Sequence, residues 1–137
     1  MIQKDYNIGD QIGPINYIVS KEDVIDFTSL LESNVSFQRF TSVKEARKEN
    51  FPESIVPGNM HLILLSNFLM TAIKNITLKK MEIIFRHIVK QNIQLIIRGF
   101  ITNVSYENDT KYYECDITIE DDQGISLVIA NSKFIIK

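Results

Sequence analysis

Two histidines and one cysteine are the side chains of this 137-residue chain that are best suited to proton transfer or nucleophilic attack. For His61 two interpretations stay open: a contact at the mouth of a pocket or, as we favour, a partly buried imidazole bonded to a backbone carbonyl. His87, beside Arg86, is predicted to lie on the surface. Cys115 occupies an alternating segment and is predicted to be a buried apolar side chain. The chain has no acidic pair at ligand spacing, so we predict neither a metal site nor a cofactor.

Single polar groups supply the other candidates. Gly58 follows Pro57 at the start of an apolar segment. Free N–H groups at a helix N-terminus can hold a carbonyl or an oxyanion, although a glycine there equally serves to let the chain enter a buried helix. Glu32 is either a weak base in a pocket or, as we favour, a solvated loop carboxylate. Asn34 is interpreted as a turn residue rather than as an amide that orients a ligand.

Charge and hydropathy exclude several classes of function. The formal net charge is −2, too weak a field to attract nucleic acid or an anionic membrane. The N-terminal residues lack the apolar core of a signal peptide. The longest apolar stretch, residues 60–76, is interrupted by polar side chains that argue against a membrane span. We therefore predict a cytoplasmic protein with one domain over residues 1–137.

The N-terminal part of the chain carries the signals of one strand and one helix. A short strand is predicted around residues 15–19. Ser20 then has the position of a helix N-cap, and Asp23 completes a capping box. Apolar residues at helical spacing predict an amphipathic helix over residues 21–31, followed by a loop over residues 32–37.

The second half of the chain combines one apolar helix with several strands. Residues 59–74 are apolar nearly all round, so the predicted helix must be enclosed by the rest of the protein. Strand signals follow, at residues 81–88, 92–106, 113–120 and 125–136. Gly99 predicts a bulge or a close approach within the second of them. A meander after a buried helix predicts an α+β hot-dog fold, an antiparallel sheet wrapped around a long central helix; a two-layer α+β sandwich stays open on pattern alone.

Four short motifs carry a resemblance to a known family. They are residues 6–14 (YNIGDQIGP), 19–24 (VSKEDV), 55–58 (IVPG) and 85–89 (FRHIV). In this order they resemble the first strand, the first helix, the start of the central helix and the next strand of MaoC-like (R)-specific enoyl-thioester hydratases and 3-hydroxyacyl-thioester dehydratases. The resemblance covers nearly the whole chain and implies the hot-dog fold. It also implies that the Gly58 N–H binds a thioester carbonyl, with Asn59, His61 and Phe37 as further substrate contacts.

The diagnostic loop of that family departs from its pattern here. The family has Gly-Asp-x-Asn-Pro-x-His, and the corresponding residues 31–37 are LESNVSF. Asn34 is kept, whereas Glu32 takes the aspartate position and Phe37 the histidine position. Losing a positioned acid–base group typically costs about 10²–10⁴-fold in rate. The resemblance therefore predicts low or no hydratase activity, with Glu32 and Asn34 as the remaining catalytic candidates.

Three functions stay open on the sequence. The chain is a residual hydratase or dehydratase, a non-catalytic subunit that pairs with a catalytic homologue, or a hot-dog thioesterase. No acidic residue lies between Gly58 and Lys80, which argues against hot-dog types that place a carboxylate on the central helix. The implied ligand is an acyl-CoA or an acyl-carrier-protein thioester. Because a single sheet leaves an unpaired edge, we also predict a homodimer or a heterodimer with a MaoC-like homologue.

Overall fold

The computed structural model describes residues 5–29, Val56 and 58–137. The elements in chain order are β1 (Gln11–Ile18), α1 (Lys21–Ser29), α2 (Gly58–Ala72), β2 (Ile76–Phe85), β3 (Gln94–Glu107), β4 (Thr110–Glu120) and β5 (Ser126–Ile136). The strands form one antiparallel sheet in the order β1-β3-β4-β5-β2. The predicted strand, amphipathic helix, long apolar helix and four antiparallel strands are confirmed, while a predicted short helix at residues 43–48 lies outside the described residues.

Helix α2 lies across one face of this sheet. Its buried residues Leu65, Phe68 and Leu69 belong to a single core cluster with the inward side chains of the strands. Near one sheet edge the Phe68 ring comes within 3.2 Å of the point where a Cβ on Gly13 of β1 would lie. Near the other edge the rings of His61 and Phe85 of β2 pack with centroids 5.7 Å apart. The helix thus reaches from β1 to β2, and the predicted hot-dog architecture is confirmed.

The prediction that α2 is enclosed on all sides is wrong. Leu62, Ile63 and Met70 are 45%, 47% and 53% exposed, whereas Leu65 and Leu69 are fully buried. The reason is geometric, because a five-stranded sheet covers only one side of a helix.

No helix in the described part of the chain has the length and apolarity needed to cross a bilayer.

Strand β2 begins earlier than the sequence pattern indicated. The predicted strand was residues 81–88, but β2 starts directly after the turn that ends α2. In that turn Asn75 has a left-handed φ of 62°, a conformation that asparagine tolerates. Leu78 then pairs with Phe134 of β5 before a register shift that ends at Lys80. The shift breaks the strict alternation, which explains why the first part of the strand was missed.

Two local signals have the predicted geometry. The Asp23 N–H donates to the Ser20 hydroxyl, and the Ser20 N–H donates to the Asp23 carboxylate, both at 3.0 Å. This capping box starts α1. Asn108 and Asp109 have φ values of 49° and 65° and form the two-residue turn between β3 and β4.

Gly99 is a close-approach point of the sheet. A Cβ there would lie 2.9 Å from the Cys115 Sγ on the neighbouring strand. The register shift between β3 and β4 lies further along, between Ile101 and Asn103, whereas the shift between β1 and β3 follows directly after the Ile12–Gly99 pair. The close approach of Cys115 explains the glycine. Cys115 itself is fully buried, as predicted. Burial raises the pKa of its thiol to about 12, so the thiol stays protonated.

Candidate functional site

A pocket of about 320 Å³ lies where the first turn of α2 meets the chain that leaves β2. It is lined by Val56, Gly58, His61, Phe85, Arg86, His87, Ile88 and Val89. The pocket thus joins the two central motifs of the sequence, IVPG and FRHIV. Most of its wall is apolar, and its polar groups are few.

Backbone hydrogen bonds hold the two walls of this pocket. The Val56 N–H donates to the Val89 carbonyl at 2.7 Å, which ties the segment before α2 to the segment after β2. The Arg86 and His87 N–H groups both donate to the Leu127 carbonyl, at 3.0 and 3.1 Å. The side chains of the second wall therefore project from a backbone that β5 fixes.

Gly58 leaves room for an aromatic ring at the start of α2. A Cβ on Gly58 would lie 3.3 Å from the Phe85 Cζ, so a larger residue would displace the ring. The first four N–H groups of a helix have no intrahelical acceptor. The first turn of α2 therefore brings backbone donors, and the positive end of the helix dipole, to the pocket.

His61 is the buried polar side chain of the pocket. It is only 1% exposed, and its Nδ1 has no hydrogen-bond partner among the residues that the structure describes. Burial lowers its pKa from 6.5 to about 4, so the imidazole is neutral at pH 7. The ring is more deeply buried than the favoured prediction of a partly buried imidazole, whereas the predicted bond to a backbone carbonyl stays a prediction.

The sequence did not identify Phe85, Arg86 and His87 as pocket residues. His87 is exposed, as predicted, but it lines the pocket together with Arg86. Among the described lining residues Arg86 is the one permanent charge, and none is a carboxylate. A positive charge without a neighbouring carboxylate in the described lining favours a ligand with a carbonyl or an anionic group.

Solved structures of known proteins match nearly the whole chain. An (R)-hydratase from A. caviae involved in PHA biosynthesis superposes with a TM-score of 0.83 at 15% identity, covering 98% of this chain and 99% of that one. A MaoC-like dehydratase from Rhodospirillum rubrum gives 0.81 at 12% identity, covering 96% and 92%. The C-terminally truncated HadBC complex of Mycobacterium tuberculosis, a 3R-hydroxyacyl-ACP dehydratase, gives 0.78 at 17% identity, covering 98% and 99%.

The chain has the hot-dog fold. These identities establish the fold alone, and at that level the resemblance to MaoC-like proteins is confirmed. No protein-family model and no curated protein matches the sequence itself.

Only part of the predicted site falls within the described region of this hot-dog domain. Gly58 and His61 both line the pocket at the first turn of α2, and their roles as substrate contacts stay predictions. Asn59 follows Gly58 in the first turn of α2, but its side chain lies outside what the structure describes. The predicted contacts Glu32, Asn34 and Phe37 lie outside the described residues. Within the described ranges, no three His, Cys, Asp or Glu side chains are grouped so that they could hold a metal ion.

A second depression of about 520 Å³ lies on the other side of Ile88, beside the turn that precedes β5. Of its two acidic residues, Asp121 is engaged in that turn, where its carboxylate accepts hydrogen bonds from the N–H groups of Gln123 and Ile125, both at 2.9 Å. These contacts shape a hairpin. The pocket at α2, which has a buried polar atom without a partner in the described part of the chain, is the better candidate for a ligand site.

Proposed function

We propose that this protein binds acyl thioesters, carried by CoA or by an acyl carrier protein, and has little or no hydratase activity. The observation that carries the proposal is the pocket at the first turn of α2, in a fold shared with an (R)-hydratase and a MaoC-like dehydratase. A relation to the MaoC-like family is part of the proposal.

The pocket has suitable groups for each part of such a ligand. The N–H groups near Gly58 can donate to the thioester carbonyl, where the helix dipole favours the partial negative charge on oxygen. Val56, Ile88 and Val89 offer apolar contacts to an acyl chain. Arg86 offers a cation to an anionic group of the carrier.

The acid–base groups for hydration are weak or missing. Phe37 stands where the family has histidine, and phenylalanine can neither donate nor accept a proton. His61 does not replace it, because an imidazole with a pKa of about 4 is a poor base at pH 7. Glu32 and Asn34 remain proposed contacts of low catalytic power, and Asn59 a proposed substrate contact.

A second candidate function is a non-catalytic subunit of a heteromeric dehydratase. The similarity to a chain of the HadBC complex favours it, because that dehydratase is a complex of subunits. In this case a homologue with an intact Gly-Asp-x-Asn-Pro-x-His loop supplies the acid and the base. The present chain then contributes its pocket or its surface.

Thermal unfolding with crotonyl-CoA, butyryl-CoA and free CoA tests the proposed function. We expect the acyl-CoAs to stabilise the fold by about 2.7 kcal/mol at a concentration one hundred times Kd. Free CoA, the control, should stabilise it less because it has no acyl group. The rate at which crotonyl-CoA loses its enoyl absorbance should exceed the rate in buffer without protein by no more than a small factor. No stabilisation by any acyl-CoA would contradict the proposed function, and rapid hydration would contradict its low-activity part.

We further propose that a second copy of the chain pairs with it along β2. This strand is an edge of the described sheet and carries the exposed residues Ile84 and Phe85. It contacts α2, whose exposed face presents Leu62, Ile63 and Met70. An edge strand beside exposed apolar side chains favours an interface.

The charges on β2 favour one register for this dimer. In a twofold antiparallel pair, the central residue lies opposite its own copy. If the twofold axis passes through Lys80 or through Glu82, that residue lies opposite its own copy and like charges face each other. If the axis passes through Ile83, Lys80 lies opposite Arg86. If the axis passes through Met81, Lys80 lies opposite Glu82 of the partner subunit, and the symmetry repeats this pair on the other side of the axis. We therefore infer that Met81 lies on the axis.

Charge reversal tests this register. Lys80→Glu or Glu82→Lys alone should raise the dimer dissociation constant about tenfold, because two attractive cross-strand pairs become repulsive. The double variant Lys80→Glu/Glu82→Lys should restore it. Sedimentation velocity over a range of concentrations measures the constant. A chain that stays monomeric until it is mixed with a catalytic homologue would contradict the homodimer and favour the partner-subunit function.

A further inference from the structure

An aromatic ring lies beside the backbone donors of the pocket. Phe85 is the last residue of β2, and its Cζ lies 3.3 Å from the point where a Cβ on Gly58 would lie. The N–H groups proposed to hold a thioester carbonyl belong to the same first turn of α2. A carbonyl bound there brings the carbon next to it towards the Phe85 ring. The ring is therefore placed to contact the part of an acyl group that is nearest to the thioester.

The Phe85 ring packs against a buried ring and keeps half of its own surface accessible. Its centroid lies 5.7 Å from that of the His61 ring, and the two planes are tilted by 52°. His61 is only 1% exposed, whereas Phe85 is 52% exposed and lines the pocket. Contact with a buried ring restricts the rotation of Phe85. The ligand-free pocket thus presents a preformed aromatic surface, which lowers the entropy cost of binding.

The rest of the described wall suits a compact apolar group. Val56, Ile88 and Val89 offer aliphatic contacts, and no carboxylate lies among the described lining residues. The volume of about 320 Å³ is at the lower end of the range for small-molecule sites, roughly 300–1,000 Å³. These features favour a small flat group beside the carbonyl over a bulky or charged one.

We propose that the pocket prefers aryl-acyl thioesters, in which an aromatic ring is bonded directly to the thioester carbonyl and stacks on Phe85. The inference rests on the proposed function, which supplies the thioester. The ring of an aryl thioester is conjugated with the carbonyl, so a carbonyl bound at Gly58 also orients the ring. Aromatic pairs in offset-stacked or edge-to-face arrangements are more stable than their buried area alone accounts for.

Calorimetric titration with benzoyl-CoA and cyclohexanecarbonyl-CoA tests the preference. The two acyl groups share one carbon skeleton, and the saturated ring is the more hydrophobic, so burial of apolar surface alone would favour it. The wild-type chain should instead bind benzoyl-CoA about fivefold more tightly, which corresponds to about 1 kcal/mol from an aromatic pair. 3-Phenylpropanoyl-CoA, whose ring is two carbons further from the carbonyl, should bind no more tightly than 3-cyclohexylpropanoyl-CoA.

Three variants assign the preference to one ring. Phe85→Leu should bind benzoyl-CoA and cyclohexanecarbonyl-CoA equally, whereas Phe85→Tyr should keep the preference because it keeps an aromatic ring. Since Phe85 is half-exposed, both variants should fold, which thermal unfolding checks. Phe100→Leu is the matched control. It makes the same substitution at a phenylalanine that is 42% exposed and does not line this pocket, and it should keep the wild-type preference.

The outcomes separate this inference from the proposed function. Equal affinities, or tighter binding of the saturated ring by the wild-type chain, would overturn the aryl preference and leave thioester binding intact. A preference that survives Phe85→Leu would overturn it as well, and so would binding of butyryl-CoA without binding of either ring compound. Failure of every acyl-CoA to bind would overturn the proposed function itself.

Discussion

Replacing Leu65 with alanine is expected to lower the free energy of unfolding by about 2–5 kcal/mol. Leu65 is fully buried near the middle of α2, in the cluster that joins the helix to the sheet. Truncation removes its apolar contacts and leaves a cavity that closely packed neighbours fill only in part. Urea denaturation at a protein concentration where the chain is monomeric measures the change.

Leu62→Ala is the matched control for this experiment. It removes the same atoms from the same helix, but Leu62 is 45% exposed. Its expected cost is below about 1 kcal/mol, because much of its side chain is already in water. Equal losses for the two variants would mean that α2 buries a different face from the one described.

Acidification is expected to remove about 3 kcal/mol of stability through His61 alone. The pKa of this imidazole falls from its ordinary value of 6.5, which applies to the unfolded chain, to about 4 in the fold, where burial penalises the charged form. Between these values the unfolded chain binds a proton that the folded chain does not bind, so stability falls as the pH falls from 6.5 to 4. Each pKa unit corresponds to about 1.4 kcal/mol. Below pH 4 both states are protonated and the loss is complete.

Variants isolate this contribution from that of other titrating groups. Arg86 and His87 line the same pocket as His61. The comparison is therefore between the pH dependence of the wild-type unfolding free energy and that of His61→Gln, which should be shallower over pH 4–6.5. His87→Gln, the same substitution at the exposed histidine, is the matched control. Parallel curves for the wild-type chain and His61→Gln would contradict the assignment.

Local signals in the sequence predicted most of the fold. The Ser20–Asp23 capping box and the Asn108-Asp109 turn depend on neighbouring residues only, and both have the expected geometry. The exposed face of α2 and the early start of β2 depend on which parts of the chain lie opposite each other. Apolar composition on its own could not distinguish a helix covered on one side from one covered on all sides.

The candidate site could be predicted only in part, for a related reason. Gly58 was singled out as the start of the central helix, and His61 as a histidine one turn into that helix, whose role as a pocket contact was not the favoured interpretation. Phe85 and Arg86 reach the same pocket through the pairing of β2 with β5, a tertiary contact that no local pattern encodes. The roles given to Glu32 and Phe37 rest on a family resemblance and stay predictions.

Because the Cys115 thiol is packed against Gly99, chemical modification of this thiol can report local unfolding. The sulfur of its single cysteine is packed against a strand that has no side chain at that point, and it is fully buried. A thiol-reactive dye added to the native protein therefore reacts at this cysteine only when the core that encloses the sulfur opens. The rate of labelling at this one atom reports how often that core opens, without any engineered probe.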